Sequence, residues 1–195
     1  MRATVLSILI TLALAACPGA SATSQSRTDL ETATFALGCY WCGQHAFDGI
    51  EGVEEVTAGH AGEGTARREA VRVRFDPETV SYEKLLEHFW LNHDPFDPDG
   101  QFCDQGSNYR PGIFVHTEEQ RRIAEESKEQ VSAELGREVV TRILDPHDSF
   151  EPVRESEQFY YEKNPVRYRV YRTNCGRDAR LHEVWGERAG GTLGH

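Results

Sequence analysis

Two cysteines lie three residues apart in the stretch FALGCYWCGQHAFD. Cys39 and Cys42 could form a redox pair, provide half of a metal site or make a structural disulfide. A c-type haem site would need a histidine directly after the second cysteine, and Gly43 stands there. A four-cysteine zinc site would need a second close pair, but Cys103 and Cys175 are far apart in the chain. The spacing therefore predicts no metal site and no cofactor.

The compartment of the protein bears on how these thiols are used. The first residues carry one arginine, which is followed by an apolar run over residues 5–16 and then by small and polar residues. This run is too short to span a bilayer and has the three-part layout of a secretory signal. The letters LAAC resemble a bacterial lipoprotein box, which would make residues 1–16 the signal and leave a lipidated Cys17. Cleavage after residue 22 is the alternative. Both predict export to the periplasm or cell envelope, and the first adds a lipid anchor.

Composition restricts the function further. The formal charge of −11 argues against binding to nucleic acid or to anionic lipid, because both need a basic face. With 38% apolar and 10% aromatic residues, the remaining chain can bury the core of one domain. We expect a linker over 17–31, a domain over 32–186, a flexible tail over 187–195 and a monomer. Apart from Cys17 there are four cysteines, and an even number in an exported protein usually indicates structural disulfides.

The hydrophobic pattern predicts alternating strands and helices. Ser81 and the capping box TEEQ each mark the start of a helix, and Gly136 marks an end. Strands are predicted over 32–37, 53–58, 70–75, 112–116 and 139–145, and helices over 41–50, 81–93 and 117–136. This order predicts a two-layer, ferredoxin-like α/β sandwich with a largely irregular C-terminal tail.

The predicted elements place Cys39 at the end of a strand, just before a helix begins. Backbone N–H groups and the positive end of the helix dipole would stabilise a thiolate there and lower the pKa of the thiol. Cys42 would lie about one turn further along the helix. It could attack an oxidised Cys39 if that first turn distorts.

Several spaced motifs resemble those of the A-type peptide methionine-sulfoxide reductases, the MsrA family. The resemblance covers residues 32–185, nearly the whole expected domain. It rests on the segments GCYWC, REAVRVRFDP, FWLNHDP, GQFCDQGSNYR and NPVRYRVYRTNCGRDARLHEVWG. It implies reduction of methionine-S-sulfoxide, either free or in oxidised proteins, and a thioredoxin-like reductant.

The resemblance also implies roles for individual side chains. Cys39 would attack the sulfoxide sulfur, while Glu69 would protonate the departing oxygen. Tyr40 and Trp41 would form an apolar wall around the methyl group. Tyr109 would donate a hydrogen bond, and Asp104 would anchor the site. Cys42 would resolve the oxidised Cys39, and Cys175 would follow as the second resolving cysteine. Cys103 is expected to be a bystander. The products would be methionine and a Cys39 sulfenic acid, which a second thiol condenses to a disulfide.

The chain departs from the family pattern at three places. The loop over 60–68 is short and lacks a substrate-binding tyrosine, with His60 where another tyrosine usually occurs. Gln44 replaces a glutamate, and VRESEQ over 153–158 has lost a histidine. An alternative function therefore stays open, in which an exported binding protein keeps this fold, has structural cysteines and has lost turnover.

Overall fold

The structure is a computed structural model that describes residues 29–145 and 149–191. The predicted signal, the lipidation of Cys17, most of the 17–31 linker and residues 192–195 lie outside these ranges. Within the described ranges, no helix combines the length and the apolar content that a membrane crossing requires.

Eight strands and six helices make up the described chain besides short 3-10 turns. The strands are β1 (Glu31–Ala36), β2 (Val53–Ala61), β3 (Arg68–Phe75), β4 (Gly100–Gln101), β5 (Asp104–Gln105), β6 (Gly112–Phe114), β7 (Arg142–Leu144) and β8 (Phe150–Pro152). The helices are α1 (Tyr40–Phe47), α2 (Tyr82–Leu91), α3 (Glu118–Leu135), α4 (Tyr160–Lys163), α5 (Pro165–Asn174) and α6 (Arg177–Trp185). Every strand and helix predicted from the hydrophobic pattern is present.

The main sheet has six strands in the order β7-β6-β1-β3-β2-β8. Each of its four central strands is antiparallel to its neighbours among them, and their order is that of a ferredoxin-like β-α-β-β-α-β unit. After α3 the chain adds β7 parallel to β6, while β8 pairs with β2 at the opposite edge. Strands β4 and β5 form a separate small hairpin. The predicted α/β sandwich is confirmed, with one extra strand at each edge.

Alternating apolar residues of the central strands form the core beneath the helices. Val71, Val73 and Phe75 of β3 are fully buried. Phe35 of β1 stacks between Phe47 and Phe89, with ring centroids 5.0 and 5.2 Å apart. Such stacked pairs add to the free energy gained from burial and hold α1 and α2 on one face of the sheet.

The C-terminal segment after β8 contains the short helices α4, α5 and α6, joined by irregular turns. Pro165 opens α5, where its fixed φ suits the first helical turn, and Gly176 adopts φ 66° between α5 and α6. Trp185 is buried, and its indole N–H donates to the carbonyl of His93 at 3.0 Å. The backbone of Gly190 also donates to Leu91 at 2.9 Å, so the first residues of the expected flexible tail pack on α2.

Candidate active site

The junction between β1 and α1 positions the first cysteine. Gly38 adopts φ 89°, and a Cβ atom there would lie 2.7 Å from the Cβ of Gln101, so this position requires glycine. Cys39 follows as the N-cap residue, and its carbonyl accepts the N–H groups of Cys42 and Gly43 at 3.0 and 3.1 Å. The cysteine side chains are 6% and 1% exposed. The predicted place of the pair at a helix N-terminus is confirmed.

Glu69 of β3 lies against the same helix terminus. The backbone N–H of Tyr40 donates to Oε2 of Glu69 at 3.1 Å, and the hydroxyl of Tyr109 also hydrogen-bonds to this carboxyl. Burial raises the pKa of Glu69 to about 7, despite these hydrogen bonds, which favour the carboxylate. A protonated carboxylic acid is therefore available beside Cys39 near neutral pH.

A buried arginine that the motif analysis did not single out supports Tyr109. Arg68 is fully buried, and its guanidinium donates to the carbonyls of Thr65 and Ser107, each at 3.1 Å. Ser107 opens the 3-10 turn that carries Tyr109. Arg68 thus joins the short loop before β3 to the turn that presents the tyrosine. The place of Arg68 between Arg67 and Glu69 at the start of β3 gave no sequence signal for this role.

Aromatic side chains form a wall next to the cysteines, as the resemblance implied. The ring of Trp41 stacks on Tyr160 with centroids 3.9 Å apart, and Tyr171 meets it edge-on at 5.9 Å. Tyr40 contacts Trp41 and His60 edge-on, at 6.0 and 5.8 Å. The sequence analysis named neither Tyr160 nor Tyr171, because their approach depends on how the C-terminal helices pack.

Two buried glutamines hold the segment of Tyr160 against α1. Nε2 of Gln44 donates to the carbonyl of Val56 at 2.8 Å and to Oε1 of Gln158 at 2.9 Å. Oε1 of Gln44 accepts the N–H of Phe159 at 2.6 Å. A glutamate at position 44 would lack the N–H donors of this network. Gln44, which departs from the family pattern, therefore has hydrogen-bond partners in this chain that suit an amide.

The structure corrects two expectations about the remaining cysteines. Cys103 and Cys175 form a disulfide with 4.8 Å between their Cα atoms, whereas Cys39 and Cys42 are free thiols. Cys103 is therefore not a bystander, and Cys175 is not available as a mobile second resolving thiol, because the end of α5 packs beside the β4–β5 hairpin. Asp104 lies close to both bonded sulfur atoms. These three residues are of metal-binding types, but the disulfide leaves no thiolate there.

The buried thiols of Cys39 and Cys42 hydrogen-bond to each other and titrate as a pair. The hydrogen bond from Cys39 lowers the pKa of Cys42 to about 6, with help from the charge of Arg177, against the opposing effect of burial. Burial, followed by the interaction with Cys42, raises the pKa of Cys39. The pair therefore loses its first proton easily and its second with difficulty. The first negative charge therefore belongs to the hydrogen-bonded pair as a whole.

Residues 31–189 match the family described as Peptide methionine sulfoxide reductase. The chain belongs to this family. It is 40% identical over 192 residues to Peptide methionine sulfoxide reductase MsrA 2 of Caulobacter vibrioides, covering 92% of this chain and 97% of the relative. It is 43% identical over 177 residues to Peptide methionine sulfoxide reductase MsrA of Bacillus subtilis, covering 81% and 97%.

The fold is also shared with a protein of solved structure. The reduced form of Mxr1 from Saccharomyces cerevisiae superimposes with a TM-score of 0.66 at 22% identity, covering 75% of this chain and 92% of Mxr1. Mxr1 has also been solved in complex with Trx2. At this low identity the likeness supports the fold alone.

The coupled titration gives a first prediction. Thiolate absorbance of the protein with its Cys103–Cys175 bond intact should rise with a midpoint near pH 6, the pKa to which Cys42 is lowered. Cys39→Ala should move this midpoint upward, because it removes the hydrogen bond that stabilises the Cys42 thiolate. Subtracting the spectrum of Cys42→Ala from that of the parent isolates the signal of the Cys42 thiol. An unchanged midpoint in Cys39→Ala would contradict the pairing.

Proposed function

We propose that this protein reduces methionine-S-sulfoxide, free or within oxidised proteins, to methionine. Family membership supports the reaction, and the burial of Glu69 beside the N-terminus of α1 is the observation that carries the mechanism. Sulfoxide oxygen leaves only after it takes up a proton, so a thiol alone is an inefficient reductant. The site provides the thiol and the acid together.

In the first step, the sulfur of Cys39 attacks the sulfoxide sulfur. The first ionisation of the cysteine pair leaves one proton between the two sulfur atoms, and its transfer to Cys42 along their hydrogen bond makes Cys39 the nucleophile. Glu69 gives a proton to the sulfoxide oxygen, and the hydroxyl of Tyr109 stabilises the same oxygen. Oxygen transfer from substrate to enzyme leaves methionine and a sulfenic acid on Cys39, so that one thiol and one sulfoxide are converted without loss of atoms.

The aromatic wall suits the apolar part of the substrate. Tyr40 and Trp41 would contact the terminal methyl group, which gains free energy by leaving water. The buried indole Nε1 of Trp41 has no hydrogen-bond partner among the described residues. Such a donor is suited to a polar group of the substrate.

The second step forms a disulfide between Cys39 and Cys42 with release of water. An external dithiol then exchanges with this disulfide and restores both thiols. We propose a thioredoxin-like protein as this dithiol, a proposal supported by family membership and by the Trx2 complex of Mxr1. The alternative function, a binding protein whose cysteines are all structural, receives no support from the unbonded Cys39 and Cys42.

Replacing the proposed acid gives the second prediction. Glu69→Gln keeps the shape of the side chain but removes its proton, so methionine formation in a single turnover should slow by roughly 10²-fold or more. The parent rate should rise through about pH 6 as the cysteine pair ionises and fall above about pH 7 as Glu69 loses its proton. Glu69→Gln should lose only the decrease at high pH. A single-turnover rate equal to that of the parent would place the acid elsewhere.

Replacing the resolving thiol gives the third prediction. Cys42→Ser should still release one equivalent of methionine per enzyme but should then stop as a Cys39 sulfenic acid, because Cys175 is already bonded to Cys103. Trapping with a sulfenic-acid reagent followed by peptide mapping measures this product. Cys39→Ser is the control and should release no methionine. A Cys39–Cys175 bond forming in Cys42→Ser at the parent rate would show that Cys175 resolves instead.

We also propose that the protein is exported and held at the membrane by lipid on Cys17, as the LAAC box and the preceding apolar run support. Cys17→Ala should move the protein from the membrane fraction to the soluble fraction of cells. Recovery of both forms in the soluble fraction would favour cleavage after residue 22.

A further inference from the structure

One tyrosine links the reactive sulfur to the β4–β5 hairpin. The hydroxyl of Tyr171 donates to Oδ2 of Asp104 and also lies within hydrogen-bonding reach of the Cys39 thiol. Its ring packs edge-on against Trp41 in a cluster that includes Cys39. No role followed for Tyr171 from the motifs in the sequence. Its position between the sulfur and a carboxylate calls for a chemical explanation.

The disulfide lies next to both partners of the Tyr171–Asp104 hydrogen bond. Cys103 directly precedes Asp104, and Cys175 lies one helical turn after Tyr171, with its N–H donating to the Tyr171 carbonyl at 3.0 Å. The covalent bond therefore joins the two segments that the hydrogen bond also joins. These segments are 72 residues apart in the chain.

The hairpin that carries Asp104 is anchored through β4, where buried Gln101 exchanges two hydrogen bonds with the backbone of Asp94, whereas Cys103 and Gln105 on the β5 side are exposed. Strands β4 and β5 contain two residues each and form a sheet separate from the main one. Phe102, between them, adopts φ 57°, an uncommon conformation for a bulky residue. Besides the disulfide, the guanidinium of Arg177 stacks 4.5 Å from the Phe102 ring and ties the turn to α6. A two-stranded hairpin is only marginally stable without such attachments.

We propose that the Cys103–Cys175 disulfide is a positioning device for the reductase reaction, and that Tyr171 is a catalytic residue that it positions. The bond holds Asp104 against α5, and Asp104 in turn holds the Tyr171 hydroxyl at the sulfur of Cys39. This proposal rests on the proposed function for its consequence for the reaction rate.

The benefit to the reaction comes from the difference between thiol and thiolate. When Cys39 ionises, the O–H of Tyr171 can turn from Asp104 towards the sulfur and donate a hydrogen bond to the new charge. Hydrogen bonds to an ionised group are stronger than those to its neutral form, so the hydroxyl favours the reactive thiolate. Without the disulfide, this alignment would depend on the exposed β5 side of the hairpin, and the hydroxyl would spend less time at the sulfur.

The proposal separates the roles of the two cysteine pairs. Cys39 and Cys42 exchange electrons with substrate and reductant, while Cys103 and Cys175 stay oxidised through the cycle. An external dithiol would act on the Cys39–Cys42 disulfide at each turnover and leave the Cys103–Cys175 disulfide closed. An oxidising compartment, as expected for an exported protein, favours this state.

The test compares the parent with Tyr171→Phe and with the double variant Cys103→Ser/Cys175→Ser. Each protein first receives one equivalent of dithiothreitol, and peptide mapping identifies the bonds present. Iodoacetamide alkylation of Cys39, followed by mass spectrometry across pH, measures the ionisation of that thiol. Single-turnover methionine formation from methionine-S-sulfoxide is measured without further reductant.

Both variants should show the midpoint of Cys39 alkylation shifted to higher pH, and Tyr171→Phe should slow the single turnover about tenfold through loss of one charge-assisted hydrogen bond. Combining Tyr171→Phe with the serine pair should slow it little further, because both changes remove the same interaction. Tyr161→Phe is the matched control. Its hydroxyl donates to Asp48 at 2.5 Å, and neither residue belongs to the proposed machinery, so its loss should leave both readouts unchanged.

The role of Tyr171 would be overturned if Tyr171→Phe left the midpoint of Cys39 alkylation unchanged while peptide mapping showed the Cys103–Cys175 bond intact. A parent-like single turnover in the double serine variant, with loss only of turnover driven by thioredoxin, would instead make this pair an electron carrier and overturn the positioning role. If the parent itself forms no methionine, the proposed function fails, and the alkylation midpoints still decide the inference. Equal melting temperatures of the variants and Tyr161→Phe would exclude unfolding as the cause.

Discussion

The close approach of α1 to the central sheet is the constraint on which the rest of the site depends. A Cβ atom on Gly43 would lie 3.1 Å from Val71 and 3.2 Å from Leu37, so the helix backbone rests directly on the apolar face of the sheet. Interiors are packed too densely for such a contact to slide. The height and rotation of α1 are therefore fixed, and with them the position of Cys39 at its N-terminus. Every other group in the site is placed relative to this sulfur.

Buried polar side chains connect the loops around this joint. Arg68, Arg177 and Gln44 are almost fully buried, and each donates to backbone carbonyls of segments distant in sequence. Burying such groups without partners would be costly, so the network is stable only when all of these segments are in place together. This requirement explains how short loops and hairpins can present Tyr109 and Tyr160 in defined positions.

The electrostatics of the site differ from those of the whole molecule. The protein carries a formal charge of −11, yet Arg177 and Arg172 lie near the cysteine pair and favour its first ionisation. Glu69 keeps its proton because burial disfavours a second negative charge in the same place. A thiolate and a neutral acid can therefore coexist near neutral pH, which neither side chain would achieve at an exposed position.

The sequence alone determined the elements of the fold and the chemistry available to it. Alternating apolar residues in β3, the N-caps at Ser81 and Thr117, and Gly136 at the end of α3 are local signals, because they act within one strand or one helical turn. The place of Cys39 between a strand and a helix followed from the same signals, and the spaced motifs indicated Glu69, Tyr109 and the aromatic wall.

Only the tertiary structure decided which distant groups meet. The bond between Cys103 and Cys175 joins residues 72 positions apart, and no local pattern encodes such a contact. The helices after Pro165 are held by packing of Leu181 and Trp185 on the core, a contact with residues far away in the chain. The pKa of Glu69 likewise depends on its burial by α1 and the Tyr109 turn. Burial and long-range pairing are properties of the assembled core, and they bring the reactive residues together in one site.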